Sequence, residues 1–229
     1  MKRLAIAFLV AAFALGTVGT QMARAQAYLL IDYVGFDYED PDPDHGDFGE
    51  PGSGYNGLGE VPGLFAPLVA DYTNNEYTYW IHGLTQVNRQ TFGSFIVVDY
   101  SVGRLDVYED SKTSGTPHDW GTNPPSALAP GTFIDGTNII SGSLTNFRFV
   151  FNTTNGTGSY EADWQADGGT QLGNIPVADR QGWTFAGATK NSTDIPTGYY
   201  HQIDGQVFLN NTPVRAQVKS WGGVKGLYR

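Results

Sequence analysis

The chain has 229 residues, 40% of them hydrophobic and 14% aromatic, with 23 acidic residues against 13 basic ones and a formal charge of −10. A surface of that sign repels phosphate backbones and anionic lipid, which excludes nucleic acid and acidic membranes as natural partners. There is no cysteine, so disulfides, thiol catalysis and thiolate metal sites are excluded as well.

Lys2 and Arg3 precede an apolar run from Leu4 to Leu15, and small residues then lead to Ala23-Arg24-Ala25. A charged start, an apolar middle and an A-x-A site make residues 1–25 a secretory signal peptide. The run is shorter than the roughly 20 residues needed to span a bilayer. Residues 26–229 are then expected to be one secreted or periplasmic domain of bacterial type, with no transmembrane segment. Its charge is about −13, because Lys2, Arg3 and Arg24 are lost and no acidic residue is.

Ala27 to Tyr38 is apolar on both parities, which predicts a strand covered on both faces. An acidic loop at 37–50 follows, and Gly and Pro continue through Pro67, predicting an irregular connection with a short strand or turn near Leu64 to Val69. Glu76 to Leu84 alternates as a strand does. Ser94 to Glu109 alternates with even apolar parity through Val102 and odd parity from Leu105, which predicts a bulge or bend at Gly103. A second long connection is expected at 110–131, broken by Pro124-Pro125.

Leu144 to Asp167 reads as a hairpin turning at Asn155-Gly156. The expected register sets Phe151 opposite Tyr160, Phe149 opposite Ala162, Phe147 opposite Trp164 and, on the other face, Arg148 opposite Asp163. Gly182 to Ala188 holds a short strand. A final hairpin, Tyr199 to Trp221, turns at Asn210-Asn211 and sets Val207, Gly205 and Ile203 opposite Val214, Ala216 and Val218. Eight to ten short strands predict an all-β fold, an antiparallel β-sandwich of jelly-roll type or, as the alternative, a small closed β-barrel. An outer-membrane barrel fits less well, because prolines are many and the chain ends in Tyr228-Arg229.

Candidate sites are few. Asp40, Asp42, Asp44, Asp47 and Glu50 place hard oxygen donors on one short loop, as Ca²⁺ requires, although glycine and glutamate positions depart from an EF-hand and a solvated acidic loop gives the same residues. Tyr200 and Trp221 are expected side by side on the polar face of the last hairpin, near Gln202 and Asp204. Rings beside amide and carboxylate groups suit a sugar, and a second layer of core produces the same residues. Trp80 and Trp120 would extend such a surface. His45, His82, His118 and His201 are scattered without a metal-ligand spacing. The expected function is a secreted, non-catalytic module that binds extracellular polysaccharide or a cell surface, with a structural calcium. The alternatives are a structural surface or matrix subunit and a polysaccharide-acting hydrolase or lyase, the last requiring two carboxylates or a His/Tyr/Arg group to converge in a cleft across the sheet.

Overall fold

The computed structural model describes residues 28–40, 48–120 and 131–209, and residues Ala27–Asn210 form one compact unit. Nine strands carry the fold: β1 (Tyr28–Asp40), β2 (Gly54–Leu64), β3 (Asn75–Phe92), β4 (Phe95–Tyr100), β5 (Gly103–Ser111), β6 (Thr137–Asn152), β7 (Thr157–Gly168), β8 (Trp183–Lys190) and β9 (Gln202–Leu209). All pairings are antiparallel. β4 and β5 lie end to end between β3 and β6, so the nine strands fill eight positions around a barrel that β9 closes onto β1. Of the two architectures expected, the closed barrel is therefore the one found, and the sandwich is not.

Three neighbouring barrel positions change parity at one height. β3 turns Tyr77, Tyr79 and Ile81 inward, then Leu84 and Gln86, with Gly83 at φ 73° between them. Opposite it, β4 buries Ile96, Val98 and Tyr100, and β5 buries Leu105 and Val107, the change falling at Ser101–Val102, beside the Gly103 bend expected from the sequence. β6 does the same at Asn146, whose φ of 56° is the left-handed conformation that Asn tolerates better than most residues. Each extra residue flips every later side chain, and together they turn Tyr100, Gln86, Phe147, Phe149 and Phe151 into one end of the barrel.

Side chains fill the interior. Tyr33 stacks on Phe185 at 5.2 Å and meets Tyr79 edge-on at 4.9 Å, and its hydroxyl donates to that of Tyr160 at 2.9 Å. Glycines facing these rings make the room. A Cβ on Gly59 would lie 2.1 Å from the Val34 carbonyl oxygen and 2.7 Å from the Tyr79 ring. An eight-stranded barrel is just wide enough for such a packed core. The outer face of β7 is polar, with Glu161, Asp163, Gln165 and Asp167 alternating outward. On this strand that is the reverse of a barrel wall that meets lipid. Among the described residues no helix is long and apolar enough to cross a membrane.

Several local expectations change. The stretch before Pro67, read as irregular, contains β2, because its glycines serve the tight barrel wall and do not mark loops. β1 runs to Asp40, so residues 37–40 of the expected acidic loop are strand. The central hairpin forms with all its rings inward, but its register moves, by two residues where Phe149 pairs with Tyr160 and, past the irregularity at Asn146, by three where Leu144 pairs with Trp164. The four-residue connection Thr153–Gly156 replaces the two-residue turn, and a two-residue slip preserves the faces. Arg148 consequently pairs with Glu161 in register and binds Asp99 at 2.7 Å, while Asp163 accepts from Asn146.

Candidate functional site

The parity change gives one end of the barrel an unusual lining. Asp37 and Glu39 occupy inward positions of β1 and are 1% and 4% exposed; His201, just before β9, is equally buried. The His201 amide donates to Asp37 Oδ1 at 2.8 Å and its ring Nδ1 lies 3.0 Å from the same oxygen, while the Tyr55 hydroxyl donates to Oδ2 at 3.3 Å. Glu39 accepts from the Gly49 amide at 2.6 Å and from the Tyr100 hydroxyl at 3.4 Å. Phe48 closes the end, stacked on His201 at 5.3 Å and packed on Phe149 at 4.6 Å. Burial pushes the Glu39 carboxyl up to about 7, the Gly49 and Tyr100 hydrogen bonds opposing and Asp37 reinforcing the change. Burial also holds the Tyr55 and Tyr100 phenols well above their usual range, which keeps them hydrogen-bond donors. These residues converge as an acid–base site does, beneath a closed ring of side chains.

A second feature lies outside the wall. The outward residues Phe36 and Tyr38 of β1, Leu58 of β2 and Trp80 of β3 form an apolar surface next to Tyr199 and Tyr200. The connection between β5 and β6 lays Trp120 and Phe133 over part of it, with Trp120 against Phe36 at 4.8 Å and Tyr199 at 5.3 Å. Tyr38, Leu58, Phe133 and Tyr199 are buried by this, whereas Phe36, Trp80, Trp120 and Tyr200 stay half-buried. Phe36 pairs in register with Gln202, and Gln202 with Lys190. From there a cleft of about 290 Å³ opens between Thr157, Lys190, Gln202 and Asp204.

Gln202 and Asp204 line this cleft, while Tyr200 packs with Trp80 and Trp120 against the buried cluster of the outer wall. Trp221 lies outside the described residues. Both edges of β9 are already paired, with β8 and β1, so the expected register onto Val214, Ala216 and Val218 is not the one β9 uses. Of the calcium candidates, Asp42, Asp44 and Asp47 lie outside the described residues, Asp40 ends β1, and Glu50 pairs with Arg89 at 3.5 Å. Among the described residues no group of three or more His, Asp or Glu is arranged to hold a metal ion.

The buried cluster was missed from sequence because Asp37 and Glu39 were assigned to the acidic loop. Their odd parity, shared with Ile31 and Tyr33, was the available signal that they point inward. Compared with protein-family models, curated proteins and solved structures, the chain matches none.

Proposed function

We propose that the chain is an exported, non-catalytic binding module that takes a neutral polar ligand of saccharide type on its outer wall. The observation that carries this reading is the gathering of Phe36, Trp80 and Tyr200, distant in sequence, into one half-buried aromatic surface beside Gln202 and the cleft. Ring faces suit the C–H faces of a sugar, and the amide, hydroxyl and charged groups alongside suit its hydroxyls. The packed interior supports the same reading, because it directs a ligand to the outside. A glycan array on the purified chain tests it beside Trp80→Ala and Tyr200→Ala. Binding by the parent that both variants lose supports the proposal; no binding, or equal binding by all three, removes it. Calcium at the acidic loop is decided by a thermal melt, since a ligand that binds only the folded state raises its Tm. A rise with CaCl₂ that a chelator reverses supports a structural ion, and an unchanged melt removes it.

A second reading, a surface or matrix subunit, is favoured by the exposed Phe92 and Phe95, paired at the β3–β4 tip. It predicts concentration-dependent assembly by sedimentation that Phe92→Ser with Phe95→Ser abolishes.

A further inference from the structure

A barrel removes strand edges only where each strand is paired on both sides, and β3 outruns one of its neighbours. It extends from Asn75 to Phe92, while β2 pairs with it only as far as Thr85, and the Gly52 amide and Ser53 carbonyl carry that ladder on to Gln86. From Asn88 to Phe92 the strand is paired with β4 on one side, and among the described residues no backbone group bonds to its other edge. Gln90, Thr91 and Phe92 are exposed, and Glu50 meets Arg89 at 3.5 Å at the base of this free stretch.

Natural edges are blunted by charge, proline or a bulge. Here the bulge at Val87 and the charge of Arg89 lie at the base, and Gln90 to Phe92 carry none of these. Val87 and Phe92, at the two ends of the stretch, are 57% and 59% exposed. From Thr85 to Val98 Arg89 is the single charged residue, and the β6–β7 tip, joined alongside by the Thr153 amide donating to the Ser94 carbonyl at 2.8 Å, has no charged residue from Phe149 to Tyr160. A chain of formal charge −10 repels its own copies over most approaches, and this rim lets two of them meet without setting carboxylates face to face.

We propose that the free edge of β3 pairs with the same edge of a second copy of this chain, the two strands crossing antiparallel at Gln90 to form a two-fold dimer. The proposal rests on the surface-subunit reading and supplies its contact. A two-fold axis between antiparallel strands passes through directly opposed residues, so identical strands cross at the same residue of each. A crossing at Arg89 sets like charges opposite one another, and one at Thr91 shortens the overlap. At Gln90 two amides face each other, each able to donate and to accept. Arg89 then lies opposite Thr91, Asn88 opposite Phe92, and the exposed Val87 of one copy comes to the Phe92 end of the other. So short an edge belongs with small interfaces, and assembly needs concentrated protein.

The test is sedimentation equilibrium of the full chain from about 5 to 500 µM, beside Gln90→Lys and Gln90→Glu, both at an exposed position. Each variant alone should weaken the dimer several-fold, because like charges meet at the axis, and an equimolar mixture of the two should restore it. The chain has no cysteine, so Gln90→Cys reads the crossing directly. Opposed residues of antiparallel strands stand about 4.5–5.5 Å apart, within the roughly 4.4–6.8 Å that a disulfide spans. That variant should cross-link to a dimer at least tenfold faster than Glu161→Cys on the exposed face of β7. A parent that stays monomeric at about 500 µM overturns the proposal together with the subunit reading, and leaves the edge to an extended peptide of another protein. Assembly that Phe92→Ser with Phe95→Ser abolishes but the charged Gln90 variants leave unchanged keeps the subunit reading and overturns the edge pairing. Loss in both charged variants without rescue in the mixture, or equal cross-linking at the two cysteine positions, overturns it as well.

Discussion

Replacing Glu39 with glutamine should change how stability depends on pH, and the size of the change follows from where the carboxyl sits. Buried under Phe48, Glu39 has its proton affinity raised from an ordinary 4.5 to about 7. At about 1.4 kcal/mol for each tenfold change in affinity, this corresponds to roughly 3 kcal/mol between the protonated and ionised native states. Because the folded value is raised, the stability contributed by the proton is fully present below about 4.5 and is lost as pH rises through about 7. Glutamine keeps a carbonyl oxygen to accept from the Gly49 amide and never ionises.

Urea unfolding of the parent and of Glu39→Gln at pH 5 and pH 8.5 should therefore differ. The stability of the variant relative to the parent should rise by about 2.5 kcal/mol between the two pH values, since at pH 5 part of the full effect is already lost. Taking the difference cancels the contributions that parent and variant share. Local release of Phe48 and Gly49, which would let water reach the carboxylate, caps the penalty, so about 2.5 kcal/mol is the upper end. A relative stability that stays constant within about 0.5 kcal/mol would refute the claim that Glu39 is buried next to Asp37 and short of donors.

Other outcomes follow from the same geometry. Phe149→Ala empties a fully buried position among Phe48, Tyr55 and Tyr160 and should cost about 3–5 kcal/mol by denaturant titration. Gly59→Ala should cost about 4 kcal/mol or more, because its Cβ meets the Val34 carbonyl and the Gly35 Cα, backbone atoms that cannot yield without opening the β1–β2 ladder. A soluble, equally stable variant would show the wall to be less tight than described. Arg148→Ala should leave the fold and the hairpin register unchanged by NMR, since its partner Asp99 is on the adjacent β4 and the pair is solvent-facing. Loss of the Phe149–Tyr160 cross-strand contact in that variant would contradict this.

Alternation along Phe147, Phe149 and Phe151 and along Tyr160, Ala162 and Trp164 was legible because a strand has period two and one face must leave water. The bend near Gly103 was legible for the same reason, since an inserted residue shows directly as a change of parity. The absence of cysteine likewise excluded disulfides without any coordinates. What the sequence could not supply was whether the sheet closes, because closure depends on β9 meeting β1 across almost the whole chain, and local pattern carries no record of that pairing. The same long-range step made the inward carboxylates of β1 look like loop residues, shifted the central register by two to three residues, and brought Trp80, Trp120 and Tyr200 together. Local alternation is set by each segment's own side chains, whereas the buried acids and the covered aromatic wall exist only once eight positions share one barrel.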